Sequence, residues 1–72
     1  MVWSGDFKSA MKAYEKGDYT YAVKELKLLA KTGHSMAQHF LGEMFYKGKG
    51  VNQDYKSAVK WYTLSAEQGN EI

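Results

Sequence analysis

An internal repeat constrains this chain more than any other feature, because residues of its first half recur about 36 positions later. Just upstream of the matching window the spacing shrinks to about 31 positions, which pairs Tyr14 with Phe45 and Gly17 with Gly48. Tandem units of this length are typical of solenoids, in which each unit stacks on the next. The identical pairs are Asp18 and Asp54, Tyr19 and Tyr55, Ala22 and Ala58, Val23 and Val59, Lys24 and Lys60, Leu28 and Leu64, Ala30 and Ala66, and Gly33 and Gly69.

Apolar residues recur at the spacing of one helical face in four stretches of the chain. Asp6, Asp18 and Asp54 are predicted to cap the starts of three helices, and the remaining helix is predicted to begin near His34 or Ser35. Glycine just past the last periodic residue can take the left-handed conformation that closes a helix. The glycines predicted to close helices are Gly17, Gly33 and Gly69.

The four stretches predict an all-α fold, an α/α superhelix (solenoid) of two antiparallel helix pairs with about four helices. The predicted divisions are an N-terminal lead at 1–5, a first pair at 6–33, a second pair at 34–69 and a tail at 70–72. The residues predicted to face inward are Phe7, Ala10, Met11 and Tyr14, then Tyr19, Ala22, Val23, Leu26, Leu29 and Ala30, then Met36, Ala37, Phe40, Leu41, Met44 and Phe45, and finally Tyr55, Ala58, Val59, Tyr62, Ser65 and Ala66. The residues predicted to face solvent on the first two helices are Lys8, Lys12, Glu15, Lys16, Lys24, Glu25, Lys27 and Lys31.

Gly42 lies inside the predicted third helix, where glycine costs about 1 kcal/mol relative to alanine. We therefore expect a neighbouring helix to pass close to its backbone, with the small side chain of Ala58 opposite. Ala10 and Ala22 are predicted to make the equivalent close contact in the first pair. In the loop between the third and fourth helices, Val51 is expected to fold back as an apolar plug.

The composition excludes several classes of function. The 72 residues include no cysteine, which removes thiol catalysis and thiolate metal sites, and we expect no cofactor. The formal charge of +2 is the balance of ten lysines against eight acidic residues, and there is no arginine, so no nucleic-acid partner is expected. No apolar run approaches the roughly 20 residues of a membrane span, and no membrane partner is expected. The location is expected to be cytoplasmic, or periplasmic or exported if the sequence begins after a cleaved signal peptide.

The second half also carries a spaced pattern of small, aromatic and glycine residues. Its members are Ala37, Gln38, Leu41, Gly42, Tyr46, Gly48, Gly50, Val51, Asp54, Tyr55, Ala58, Trp61, Tyr62, Ala66, Gln68 and Gly69. This pattern resembles the Sel-one-like repeats, close relatives of the tetratricopeptide repeats. The first half carries Ala10, Tyr14, Gly17, Asp18, Tyr19, Ala22, Leu29, Ala30 and Gly33. In these residues it resembles the shorter, tetratricopeptide-like unit that often opens such arrays. Together the two likenesses cover about residues 6–70.

The resemblance implies a right-handed superhelix with a concave groove, and an adaptor or scaffold role that in bacteria often belongs to exported or envelope proteins. In such arrays the first helix of each pair lines the groove. We therefore expect a module without catalysis that binds a protein or peptide there, the alternative being a purely structural segment of a longer array. The expected binding residues are Phe7, Met11, Tyr14 and Glu15 from one copy and His39, Glu43, Tyr46 and Lys47 from the other.

Two of these assignments have simpler alternatives. Phe7, Met11 and Tyr14 stand at helical spacing, and such a stripe is also what core packing requires. His39 and Glu43 lie one helical turn apart, but two ligands do not complete a metal site, and we expect a solvated ion pair between them. No serine, histidine and acid stand at spacings that indicate a catalytic triad.

The last helix of a solenoid normally presents an apolar side that a following unit covers. We expect Trp61, Tyr62 and Leu64 to be partly exposed at this end of the chain. Either the sequence belongs to a longer array, or two copies cover each other's ends as a homodimer. Self-association through these residues is therefore a hypothesis.

Overall fold

Four α-helices follow one another along the chain: α1 (Phe7–Lys16), α2 (Tyr19–Lys31), α3 (Ser35–Lys47) and α4 (Tyr55–Glu67). They are seen in a computed structural model that describes residues 6–69, and no strand occurs among these residues. The all-α prediction is therefore confirmed.

The predicted lead at 1–5 and tail at 70–72 lie outside the described residues. None of the four helices is long and apolar enough to span a membrane.

Side-chain acceptors fix the start of each helix at the predicted positions. At α4, Oδ1 of Asp54 accepts the backbone N–H groups of Lys56 and Ser57 at 3.1 and 3.2 Å. The bonds from Ser57 hold the pKa of the Asp54 carboxyl below its ordinary value of 3.8. The other caps are Asp6 to Lys8, Asp18 to Tyr21, and Nδ1 of His34 to Ala37.

Glycines follow the helices in the left-handed conformation, as predicted for Gly17, Gly33 and Gly69. At the end of α1, Gly17 has a φ of 85°, and its N–H donates to the carbonyl oxygen of Tyr14 at 3.0 Å. This bond satisfies a carbonyl group that the end of the helix would otherwise leave unpaired. The chain can then turn at once into α2, so that α1 and α2 form an antiparallel hairpin.

The helices pack in sequence order, α1 on α2, α2 on α3 and α3 on α4. Between them lies a core of small and aliphatic side chains, against which Val51 from the α3–α4 loop packs as predicted. Gly42 is buried against α4 and faces Ala58, which confirms the expected close approach of these helices. The buried core residues are Ala10, Ala13, Ala22, Val23, Leu26, Ala30, Ala37, Leu41, Met44 and Ala58.

Buried polar side chains tie the second hairpin to the first. Nε2 of Gln38 donates to the carbonyl oxygen of Ala30 on α2 at 3.1 Å, and Nε2 of Gln68 donates to Oε1 of Gln38 at 2.8 Å. On the same side, the hydroxyl of Ser65 donates to the carbonyl oxygen of Ser35 at 2.9 Å. Together these bonds fasten the end of α4 to the start of α3, and the start of α3 to the end of α2.

Four residues predicted to face the core are exposed instead, and one predicted on the wet side is buried. Met36, Tyr55, Val59 and Ala66 all lie on the surface. Glu25, predicted to be solvated, is buried because its Oε1 accepts the backbone N–H of Asp6 at 3.2 Å across the hairpin.

The errors on α4 have a common cause. Val59 repeats Val23, yet Val59 is 62% exposed while Val23 is 4% exposed. Val23 belongs to the core, and its helix α2 is packed by both α1 and α3, whereas α3 is the one helix of residues 6–69 that packs extensively on α4. The periodic pattern therefore identifies which face of a helix is suited to packing, but it does not show whether another helix covers that face.

Candidate functional site

The eight residues predicted to bind a partner lie on α1 and α3, and we call the surface they define the α1–α3 surface. On α1, Phe7, Met11 and Tyr14 are half-buried, while Glu15 is exposed. On α3, His39 and Glu43 are half-buried, while Tyr46 and Lys47 are exposed.

Aromatic rings connect the α1 part of this surface to the α3 part through Phe40. The Phe40 centroid lies 6.0 Å from that of Phe7 and 6.1 Å from that of Tyr14. The same ring meets His39 edge-on at 5.2 Å, and His39 lies 5.6 Å from Tyr62 on α4. Each such pair contributes about 0.5–1.5 kcal/mol beyond the apolar area it buries. Phe40 thus joins predicted binding residues of both repeats into one ring network.

The outer ends of this network are held by cap and loop residues. The ring of His34, whose Nδ1 caps α3, stacks on Phe7 at 4.9 Å and 26°. At the other end, Tyr14 meets Tyr19 at 5.4 Å, and the Lys49 ammonium lies 5.6 and 5.0 Å from these two rings. The rings of Phe7 and Tyr14 also pack against the core. The core-packing alternative stated for these two residues in the sequence analysis therefore applies as well.

A charged cluster lies beside the rings on α3. Nζ of Lys47 donates to Oε2 of Glu43 at 2.8 Å, so Glu43 pairs with Lys47 and the expected ion pair with His39 is wrong. The hydrogen bond with Glu43 and the charge of that carboxylate raise the pKa of Lys47. Nδ1 of His39 is buried and has no hydrogen-bond partner among the described residues.

Two tyrosines complete the cluster. Tyr46 is 53% exposed, and its ring lies 5.3 Å from that of Tyr55 on α4. Burial raises the pKa of Tyr62, and the negative charge of Glu43 raises it further. Tyr62 belongs to the expected self-association residues, but its ring is turned toward α3 and extends the α1–α3 surface. Trp61 and Leu64, the other two, are half-buried on α4.

Two clefts lie outside the α1–α3 surface. One, of about 280 Å³, lies between α1 and α2 and is lined by residues that include Lys12 and Tyr21. The other, of about 520 Å³, lies between α2 and the α3–α4 loop. Its lining includes Lys24, Lys27 and Lys31, three lysines that sequence reasoning treated only as solvated. Their spacing along one helical stripe was the signal available in the sequence.

Comparison with known proteins bears on the second hairpin in particular. The family model described as Sel1 repeat matches residues 35–70, half of the chain. The chain belongs to the Sel1 repeat family. The Sel1 match spans α3, the following loop and α4, and these elements carry Gly42 and the charged cluster described above.

Several curated proteins are similar in sequence to this chain. A Sel1-like repeat-containing protein of Acanthamoeba polyphaga mimivirus is 48% identical over 48 residues, which are 67% of this chain and 8% of that protein. An exopolysaccharide production negative regulator of Rhizobium leguminosarum bv. viciae is 38% identical over 65 residues, 90% of this chain and 24% of the relative. DAP3-binding cell death enhancer 1 of Rattus norvegicus is 43% identical over 54 residues, 75% of this chain and 11% of the relative. No solved structure matches.

This chain thus spans less than a quarter of the length of each of these relatives. They come from a virus, a bacterium and a mammal, so the bacterial source that we also expected from the resemblance is not confirmed. Sel1 repeats generally mediate protein–protein interaction and form a non-catalytic type of module. The family assignment therefore supports the expected general function, protein–protein interaction.

Proposed function

We propose that this Sel1 repeat chain is an adaptor or scaffold module that binds a peptide or protein segment along the α1–α3 surface, without catalysis. The observation that carries the proposal is the ring network through Phe40, which links predicted binding residues of both repeats. In this proposal the repeats are residues 6–33 and 34–69, and each contributes its first helix.

The surface offers two kinds of contact. Tyr46, more than half exposed beside the Glu43–Lys47 pair, supplies an aromatic anchor of the sort that dominates many protein interfaces. Glu43 and Lys47 supply one charge of each sign within one helical turn, which suits a segment with apolar anchors and at least one charged residue. The relatives support a protein partner, because one of them is described as binding another protein and another as a regulator.

The proposal is tested by affinity capture from a lysate of the source organism, comparing wild type with Tyr46→Ala plus Glu43→Lys. A matched control carries Tyr21→Ala plus Glu67→Lys, which makes the same chemical changes at exposed positions on α2 and α4. We expect a partner that is captured by wild type and by the control but not by the first variant. Equal capture by all three proteins would contradict binding at the α1–α3 surface.

A second candidate function is self-association through α4. Its support is the exposed stripe of Tyr55, Val59 and Ala66, next to the half-buried Trp61 and Leu64 of the original hypothesis. Tyr19, Val23 and Ala30 repeat this stripe on α2, where α3 packs. In this proposal a second copy covers α4 to form a homodimer.

Light scattering over a concentration series tests self-association. Val59→Lys places a charge in the middle of the exposed stripe, and it is expected to abolish any dimer, while Lys12→Gln at an exposed position on α1 leaves it intact. A wild-type protein that remains a monomer up to millimolar concentration would rule out this proposal and favour a structural segment of a larger array.

A further inference from the structure

The cleft of about 520 Å³ beside α2 has the composition of a binding site of its own, and we call it the lysine cleft. One wall is a single stripe of α2, and the other is the loop that joins α3 to α4. Its volume is within the usual range of ligand pockets. The lining residues are Thr20, Val23, Lys24, Lys27, Leu28, Lys31, Gly50 and Val51.

The loop wall is held in place by a close backbone approach. Gly50 has a φ of 75°, and a β-carbon on it would lie 2.5 Å from the carbonyl oxygen of Tyr19 at the start of α2. Only glycine permits this contact, which brings Val51 over the helix. The cleft is therefore part of the fold and not an accident of side-chain placement.

The positive charges that line the cleft have no carboxylate partner among residues 6–69. Lys24, Lys27 and Lys31 lie at successive turns of α2, and no carboxylate within residues 6–69 forms an ion pair with any of them. The neighbouring acid on the helix, Glu25, is buried on the other side against the backbone of Asp6. Three ammonium groups along about 10 Å of helix favour a ligand with several negative charges.

The rest of the lining is apolar. Leu28 is 42% exposed there, and the half-buried Val51 contributes further aliphatic surface. The Lys27 ammonium lies 6.0 Å from the centroid of Phe45, so its aliphatic stem also covers apolar surface. A ligand that only paired with the lysines would leave this surface in water, whereas one with an aliphatic side chain would cover it.

We propose that the lysine cleft binds a short acidic peptide segment in which carboxylates flank an aliphatic residue. Carboxylates would pair with Lys24, Lys27 and Lys31, and the aliphatic side chain would pack on Leu28 and Val51. A nucleic-acid strand satisfies the lysines but offers no aliphatic group to Leu28, so the composition of the cleft favours the peptide.

This site is independent of the α1–α3 surface. None of the eight residues of that surface lines the cleft, and the cleft lies on the second helix of the first pair. The two proposals can therefore fail separately, and a segment bound in the cleft leaves the α1–α3 surface free for another partner.

The first experiment uses wild-type protein with isotopic labelling and a synthetic hexapeptide, acetyl-Glu-Leu-Glu-Glu-Leu-Glu-amide. We expect amide chemical-shift changes that cluster at Thr20–Lys31 and Gly50–Val51. Changes confined to residues 39–47, or the absence of saturable changes, would overturn the proposal. A control peptide with serine at both leucine positions keeps the charge and is expected to bind at least about fivefold more weakly, as loss of apolar contact predicts.

A second experiment measures binding of the labelled hexapeptide by fluorescence anisotropy at low salt. Lys24→Gln, Lys27→Gln and Lys31→Gln together are expected to weaken binding about tenfold or more. The control, Lys8→Gln, Lys12→Gln and Lys56→Gln, removes the same net charge from exposed positions elsewhere and is expected to change binding less than about twofold. Equal losses in both triple variants would show attraction to net charge alone and would overturn the proposal.

Two further comparisons complete the design. Leu28→Ser, a substitution at an exposed position, is expected to weaken binding of the hexapeptide but not of a single-stranded oligonucleotide of equal charge. Tighter binding of the oligonucleotide, with the same lysine dependence and no effect of Leu28→Ser, would overturn the peptide assignment. Met36→Ser, the matching change at an exposed apolar position outside the cleft, is expected to leave hexapeptide binding unchanged. A loss equal to that of Leu28→Ser would overturn the proposal.

Discussion

Gly42 of α3 lies directly against Tyr62 of α4. A β-carbon on Gly42 would stand 3.0 Å from Cδ1 of Tyr62 and 3.2 Å from the carbonyl oxygen of Ala58. The missing side chain therefore lets two helices approach at backbone distance, and it also sets where the Tyr62 ring lies beside His39. One glycine thus determines both the packing of the second hairpin and part of the α1–α3 surface.

Substitution of Gly42 is expected to destabilise the fold in proportion to the size of the new side chain. Gly42→Val should lower the free energy of unfolding by about 2–3 kcal/mol because the overpacked helices must separate. Gly42→Ala should cost less, since the gain of about 1 kcal/mol in helix propensity opposes the close contact. Urea unfolding followed by circular dichroism measures both, with Ala66→Val as an exposed control. A Gly42→Val protein as stable as wild type would contradict the close packing.

Loss of the buried amide network is expected to weaken the junction between the hairpins. Gln38→Leu removes the bonds to the Ala30 carbonyl oxygen and to Gln68, and it should lower the free energy of unfolding by about 1–3 kcal/mol. Gln53→Leu, which removes exposed bonds to the Tyr46 carbonyl oxygen and the Tyr55 hydroxyl, should cost less than about 1 kcal/mol. Similar losses for the two variants would show that burial adds nothing to the Gln38 bonds.

Gly50 is expected to be less replaceable than another glycine with a similar backbone. Gly17 has a φ of 85° with open space around it, so Gly17→Ala measures the cost of the left-handed conformation alone. Gly50→Ala adds a collision with the Tyr19 carbonyl oxygen and should cost about 1–3 kcal/mol more by thermal unfolding. Equal costs would mean that the loop moves away from α2 without penalty.

The pKa of Tyr62 is raised by burial and then by the charge of Glu43, so its neutral form is favoured in the folded state. The resulting stability is fully present below the ordinary tyrosine pKa of 10.0 and is lost as the pH rises through the higher folded pKa. Ultraviolet titration should therefore show a late tyrosine component that Tyr62→Phe removes. Glu43→Gln should move that component to lower pH, and an unchanged titration would contradict the predicted contact.

Much of the fold could be predicted from local pattern, and the exceptions depend on partners distant in sequence. The caps at Asp6 and Asp54 and the approach of Gly42 to Ala58 follow from residue type and helical spacing. Glu25 is buried because the N–H of Asp6 lies across the hairpin, a contact that helix periodicity does not contain.

The candidate surfaces show the same division. Helical spacing placed the eight predicted residues on α1 and α3, but it did not reveal that Phe40 joins the two sets. The lysine cleft was missed because Lys24, Lys27 and Lys31 look like an ordinary solvated face until the loop at Gly50 is placed beside them.

The contrast between Val23, which lies in the core, and Val59, which is left open, has a consequence for how such proteins change in length. Both hairpins carry the same three residue types, Tyr, Val and Ala, at equivalent positions of their second helix. An added hairpin could therefore pack on α4 as the second hairpin packs on α2. Duplication of one genetic segment could then lengthen the array by a whole unit, without new contacts having to evolve beforehand.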